Sequence, residues 1–531
     1  MSAEPSFSVL SAAAQPENHT TRIVRHRSLL RYSPALFALV ILIANAVQVA
    51  DPDLWNHIRF GQAMIGERTS VAALLGERVP REDVYSYSAA GAQWHDPEWL
   101  TEILMASVYD HWGVVGIKCW KLVLVGATIG FLMLALIEAG ASPALQLNLL
   151  MLAALAMMQQ MQLRPQLFTF GMLAATLAIL ARETYFGTAP LWLIPFMMIV
   201  WSNLHGGYIV GLAAIGTYTG IAVLQDTLSG AGNRRALRLI TLSIAATGAT
   251  LVTPYGVEGW KAILHSVSDQ SIRRAIVEWQ PLWRAMTHQW HDSALGEFNY
   301  LIVLGFMVAL AVTFVSFPRL DDLPMVGIAL LMSVGAFISA RNMPIAVLAC
   351  AIPIASRISS SREKDKQGET PANASLPERS GVNKWPVIAI AVFLLFEAGM
   401  FSARLNAGMD IPSGAVDFMK EHDLHGNVLN EYGWGAYLIW HITPGSKIFI
   451  DGRCETVYPD RVLSDYLKFY FDFTGAGEIL RNYPHDFILV PPGAPIVRSL
   501  GKNAEWKVIY HDRATLLFAR SKSPARCHTR T

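Results

Sequence analysis

Apolar residues along this chain gather into runs of about 20, the length that crosses a bilayer as a helix. Eleven runs stand out: roughly Pro34–Ala50, Val114–Ile137, Pro143–Met161, Leu167–Ala181, Pro190–Trp201, Tyr208–Leu224, Leu239–Val252, Tyr300–Val315, Leu323–Ile338, Met343–Ile354 and Pro386–Met400. The fifth and tenth are short, so they borrow flanking residues or are broken helices. After Met400 the pattern changes. Ser413–Asp423 and Arg461–Phe471 read as helices. Asn427–Glu431, Lys447–Asp451, Asp486–Val490, Lys507–Tyr510 and Leu516–Ala519 read as short strands. Strands alternating with helices predict a small α/β unit. The expected fold is an α-helical polytopic membrane protein with a small C-terminal soluble α/β domain.

The polar stretches orient these elements. Arg22, Arg25, Arg27 and Arg31 precede the first run and place the N-terminus in the cytosol. A cleaved signal peptide would need Gln48 where a small residue is preferred, so a retained first helix is expected. Counting spans, Arg182, Arg234, Arg235, Arg238, Arg319 and Arg357 fall on that same side. The expected organisation is a basic segment over 1–33, a membrane domain over 34–357, a polar cytosolic linker over 358–383, a last span over 384–403 and an external domain over 404–531. Two external loops are long, 51–113 and 255–299. The second holds Trp260, Trp279, Trp283 and Trp290, which suits helices lying in the interface. The Asn373 sequon lies in the linker, on the cytosolic side.

Composition agrees. Hydrophobic residues are 53% of the 531 and charged residues 16%, against about 25% charged in a soluble domain. The net charge of +1 implies no nucleic acid or other bulk polyion as partner. The four cysteines show no metal spacing; Cys454 and Cys527 can pair if the tail is exported. No glycine-rich nucleotide loop opens a helix in the tail.

The same span count sends Asp51-Pro-Asp53, Arg164-Pro-Gln166, Asn203-Leu-His205, Thr253-Pro-Tyr255, Glu278-Trp279 and Arg341-Asn342 to the external face. Polar groups at such depth are costly and tend to share a cavity. Asp51, Asp53 and His57 lie within seven residues and can supply a base or metal ligands. Asp53 equally suits the N-cap of an interfacial helix. Trp55, Asp83, Trp94, His95 and Glu98 mix aromatic faces with hydrogen-bonding groups, as sugar binding needs and as a membrane-interface belt also shows. Arg164, His205 and Arg341 are cations at the depth of a lipid phosphate; snorkelling to headgroups is the alternative. Asp451 ends a strand, where α/β folds bind ligands.

The runs DPDLWNHIRFGQAMI, VPREDVYSYSAAGAQWHDPEWL, LRPQLFTF, WSNLHGGYIVG, TPYG, VEWQPL and SARN, with NEYGWGAYLIW and KIFIDGR in the tail, resemble a widespread group of poorly characterised bacterial membrane proteins. That group looks like part of the type C glycosyltransferase superfamily. Asn56 departs from it, standing where the group commonly has a second aromatic. The resemblance implies a bacterial inner-membrane enzyme, an inverting hexosyl- or pentosyltransferase. It would use a polyprenyl-phosphate sugar donor and a glycan, lipid or protein acceptor, within membrane lipid. It places the catalytic carboxylate at Asp53 or Asp51, with a divalent metal such as Mg or Mn there. Arg164, Arg341 and His205 would bind the donor phosphate. His57, Trp55, Asp83, Trp94, His95, Glu98 and Glu278 would bind substrate. A transporter or flippase, and a non-catalytic envelope-glycan assembly protein, are the competing classes.

Overall fold

The computed structural model describes residues 40–41, 51–66, 79–230, 232–268, 277–289, 294–367 and 411–521. The first expected span, apart from Val40 and Ile41, and the last lie outside these residues, as do Asn373 and Cys527.

Among the described residues, five helices are long and apolar enough to cross a membrane: Trp99–Glu138, Gln166–Phe186, Tyr208–Leu228, Phe298–Ser316 and Ala340–Ser361. Pro143–Met157, Leu193–Leu204 and Leu323–Ile338 are shorter apolar helices. The expected span over Leu239–Val252 falls on a 16-residue helix, Arg234–Ala249, whose first turn is basic. The last described membrane helix runs on to Gln367, so the expected linker begins as helix. Gly113, with φ 58°, breaks the helix that starts at Trp99; a positive φ costs glycine nothing. The second loop folds into helices Gly256–Ser268 and Leu282–Gln289.

Let α1 be Leu54–Ile65 and α2 Trp99–Glu138. They pack at a close crossing set by Gly61. A Cβ there would stand 2.0 Å from the Glu102 carbonyl oxygen. Gly61→Ala is therefore expected to force the helices apart and lower stability by about 1–3 kcal/mol, read as a fall in the thermal midpoint of purified protein. An unchanged midpoint would show that α1 shifts without cost.

The tail holds a five-stranded mixed sheet in the order β2-β1-β3-β5-β4. Its strands are β1 Asn427–Asn430, β2 Lys447–Ile448, β3 Phe487–Val490, β4 Trp506–His511 and β5 Leu516–Arg520. β2, β1 and β3 run parallel; β5 and β4 are antiparallel to their neighbours. The glycine-rich NEYGWGAY stretch, which reads as a turn, opens a helix at Gly435–Ile442. The first loop continues the sheet at its β2 edge. Ser86 bridges Ile448 in parallel, Tyr87 N–H donates to the Ile448 carbonyl at 3.1 Å, and Ile448 N–H donates to that of Tyr85 at 3.2 Å. Pairing in this way protects an otherwise open edge.

Two hydrophobic cores result. One lies among the membrane helices. The other joins α1, the first loop and the start of α2 to the tail domain. Trp55 shows the join. It contacts Tyr437, Trp440 and His441, with centroids 5.6 to 6.4 Å apart. Loop and tail domain are thus one packed body.

Candidate active site

A cavity of about 520 Å³ lies where α1, the helix ends and the tail domain meet. Asp53, His57, Trp94, Glu98, Arg164, His205, Glu278 and Arg341 all line it, together with Phe60, Asp96, Glu102, Tyr432, Gly452 and Arg453. An adjoining groove of about 400 Å³ shares Glu98, Gln166, His205 and Arg341 with the cavity and then turns apolar, past Phe170, Ile209, Ile263, Ile338 and Ile345.

Asp53 sits just before α1 without capping it through its side chain. Burial, and then the neighbouring Asp51, push its carboxyl up to about 7. The Asp51 carboxylate is buried and used within the protein. It accepts the Asp53 N–H at 2.9 Å and a bond from Arg164 Nε. Arg164 Nη1 also reaches both oxygens of Glu278, at 3.2 and 3.1 Å. Burial alone would raise the Glu278 carboxyl, but Arg164 and Arg341 hold it below the ordinary carboxylate range. Arg341 lies 4.7 Å over the Trp279 ring, a cation–π contact.

The tail contributes a wall. After β2 the chain runs on through Asp451 to Arg453. A Cβ on Gly452 would fall 2.2 Å from Asp53 Oδ1, so only glycine lets the tail backbone lie against that carboxylate. Arg453 binds Asp451 through Nε and Nη2 and donates from Nη1 to Asp83 at 2.8 Å. Its guanidinium stacks over Trp94 at 4.6 Å, Phe60 at 5.0 Å and Tyr85 at 5.4 Å. Asp83 also accepts the N–H groups of Tyr85 and Ser86, at 3.2 and 3.1 Å.

Not every expected residue therefore faces the cavity. Asp51, Asp83 and Trp55 stand behind its wall. His95 lines the apolar groove, its ring 5.3 Å from Tyr255. Cys454 is buried, its thiol 3.5 Å from the Asp451 carbonyl. Glu102, Arg453 and Gly452 are cavity residues that the sequence reading did not assign to the site. A helical projection carries a usable signal for Glu102, which shares a face of α2 with Glu98, four residues before it.

The metal question turns on a different cluster from Asp51 and Asp53. His57, Glu98 and Glu102 offer ligand atoms within 4.8 Å of one another. His57 Nδ1 is 2.9 Å from Glu102 Oε1 and 3.7 Å from Glu98 Oε2. Burial, and then Arg164, push the His57 imidazole down to about 3, so it is neutral, as a ligand must be. Glu102 is 2% exposed, and burial, and then the neighbouring Asp96, push its carboxyl well above the ordinary carboxylate range. A divalent cation beside it would favour the ionised form. One imidazole and two carboxylates suit Mn, Zn or Mg. These residues fit a divalent cation.

No family model and no curated protein matches this chain. Among solved structures, the Archaeoglobus fulgidus oligosaccharyltransferase in its apo form is similar at 10% identity, covering 90% of this chain and 70% of its own, with a TM-score of 0.48. The arabinofuranosyltransferase AftD from Mycobacteria is similar at 14% identity and a TM-score of 0.49; the match covers 94% of this chain but 40% of that one. Similarity at this level says nothing of chemistry, which rests on the cavity.

The cavity can do three things. Asp53 can take a proton. Arg341 presents positive charge where the cavity meets the groove, and Arg164 lines the cavity beside it. The aromatic wall of Trp94 and Phe60 offers an apolar face. The cavity holds five carboxyl groups, Asp53, Asp96, Glu98, Glu102 and Glu278, against Arg164, Arg341 and Arg453, and burial raises those of Asp53, Asp96 and Glu102. An anionic ligand would enter more readily with a cation among the carboxylates.

Proposed function

We propose that this protein transfers a sugar from a polyprenyl-phosphate donor to the hydroxyl of an external glycan, lipid or protein acceptor. One observation carries the reading: a polar cavity with a buried carboxylate and arginines opens directly into an apolar groove. A donor with a charged phosphate and a long hydrocarbon tail needs that sequence of surfaces.

In the reaction, Asp53 accepts the proton of the acceptor hydroxyl. The acceptor oxygen attacks the anomeric carbon from the face opposite the phosphate and forms the new C–O bond. The bond from that carbon to the phosphate oxygen breaks, and the lipid phosphate leaves with the electron pair. A single displacement inverts the anomeric centre. Arg164 and Arg341 face the charge that builds on the leaving oxygen. His57, Glu98 and Glu102 would hold a divalent cation, which when bound would supply further positive charge to the cavity. Asp51 keeps Arg164 in place.

Purified protein incubated with labelled polyprenyl-phosphate sugars and a mixed acceptor pool should release lipid phosphate and label the acceptor. Failure across a broad donor panel would favour a transporter or an assembly protein. With an active donor, Arg341→Gln should raise its KM by about 10–100-fold, the worth of a charge-assisted hydrogen bond. An unchanged KM would remove Arg341 from the phosphate site.

A further inference from the structure

The hydrogen bonds around His205 fix which of its nitrogens carries the proton. His205 lies between helices Leu193–Leu204 and Tyr208–Leu228. Its Nδ1 accepts the Gly207 N–H at 2.9 Å. The Thr169 hydroxyl is 2.8 Å from the same nitrogen. Behind it, Trp201 Nε1–H, which can only donate, donates to Thr169 Oγ1 at 3.0 Å. With its oxygen accepting from Trp201, the Thr169 hydroxyl has its own proton to give to Nδ1. A nitrogen that receives two donors carries no proton. The proton of the neutral ring is therefore on Nε2, which is 3.2 Å from Glu98 Oε1.

The chain of donors runs in one direction, from Trp201 to Thr169 to His205 to Glu98. Trp201 is fully buried and Thr169 is 3% exposed, so solvent does not compete for these bonds. Glu98 Oε1 is held at one end, and its Oε2 lies 3.7 Å from His57 Nδ1. Both His205 nitrogens are engaged.

We propose that Trp201, Thr169 and His205 form a buried relay that aims Glu98 at a divalent cation held with His57 and Glu102. Thr169 and His205 are then positioning residues of that site, and His205, which lines the cavity, serves the carboxylate cluster rather than the donor phosphate. The inference rests on the metal reading above and adds the residues that orient one ligand. Partners of this kind typically change metal affinity by about 10–100-fold.

The test is Mn²⁺ binding to the purified full chain in detergent, followed by the loss of the free-ion paramagnetic resonance signal. The unsubstituted protein should bind one ion, and His57→Ala should abolish binding. Thr169→Val should weaken the affinity by about 10–100-fold, while Thr169→Ser stays within about threefold of the unsubstituted protein. His205→Leu should weaken it equally. His205→Gln, whose amide can still accept from Gly207 and donate to Glu98, should recover most of it. This second pair decides the matter if Thr169→Val does not fold. No binding by the unsubstituted protein would overturn the metal reading and the relay together. Binding lost in His57→Ala but unaltered in Thr169→Val or His205→Leu would overturn the relay alone.

Discussion

Replacing Asp53 with asparagine is expected to lower sugar transfer by about 10²–10⁴-fold, the usual contribution of a positioned general base, while leaving the fold intact. The side chain keeps its size, so the Gly452 backbone still fits against it. The amide cannot accept the acceptor's proton at neutral pH. Asp51 and Arg164 remain paired, because Arg164 Nε donates to Asp51 directly and residue 53 contributes only its backbone N–H to Asp51. Turnover should fall through kcat, with donor KM little changed, and the thermal midpoint should stay within a few degrees of the parent's. Full activity in this variant would remove Asp53 from the chemistry and favour a non-catalytic role.

Arg453→Ala is expected to do the opposite: it should damage the fold first. Asp83 and Asp451 are 2% and 0% exposed, and both spend a carboxylate on this guanidinium. Removing one partner of a buried ion pair leaves uncompensated charge and costs about 3–5 kcal/mol. The loss should appear as early unfolding of the tail domain together with the first loop, because they share a core. Tryptophan fluorescence during denaturant titration reads it through Trp94 and Trp434, both in that core. Limited proteolysis should cut the same unit. Arg453→Lys keeps the charge but not the fork that holds two carboxylates, so it should recover only part of the loss. A midpoint equal to the parent's in Arg453→Ala would mean that the two aspartates are neutral or rearranged.

The parts of the fold that rest on period were legible in the sequence. Apolar runs such as Gln166–Phe186 and Tyr208–Leu228 are hydrophobic on nearly every face and long enough to cross. Arg234–Ala249 is harder: it is apolar on average over its second half, yet its arginines and small residues make it two-sided. Gly435–Ile442 was hidden because glycine reads as a turn, whereas here Gly435 marks close approach, with a Cβ 2.4 Å from the Ile450 carbonyl oxygen. The cavity residues Asp53, Arg164, His205 and Arg341 were found by a single signal, polar groups in or beside membrane-length apolar runs. Glu102 was obscured by the apolar helix that follows it. Arg453 and Asp83 are 370 positions apart, and no local pattern links them. The same is true of Thr169 and Trp201, whose hydroxyl and indole look like ordinary helix residues until His205 is placed between them.

The separation of Arg453 from Asp83 has a consequence for biosynthesis. At about 5–20 residues per second, a ribosome takes roughly 20 to 70 s to make the intervening chain. Throughout that interval the loop's aspartate has no cation, and its strand edge has no neighbour. A half-made polypeptide thus carries the proposed base without the backbone that walls it in.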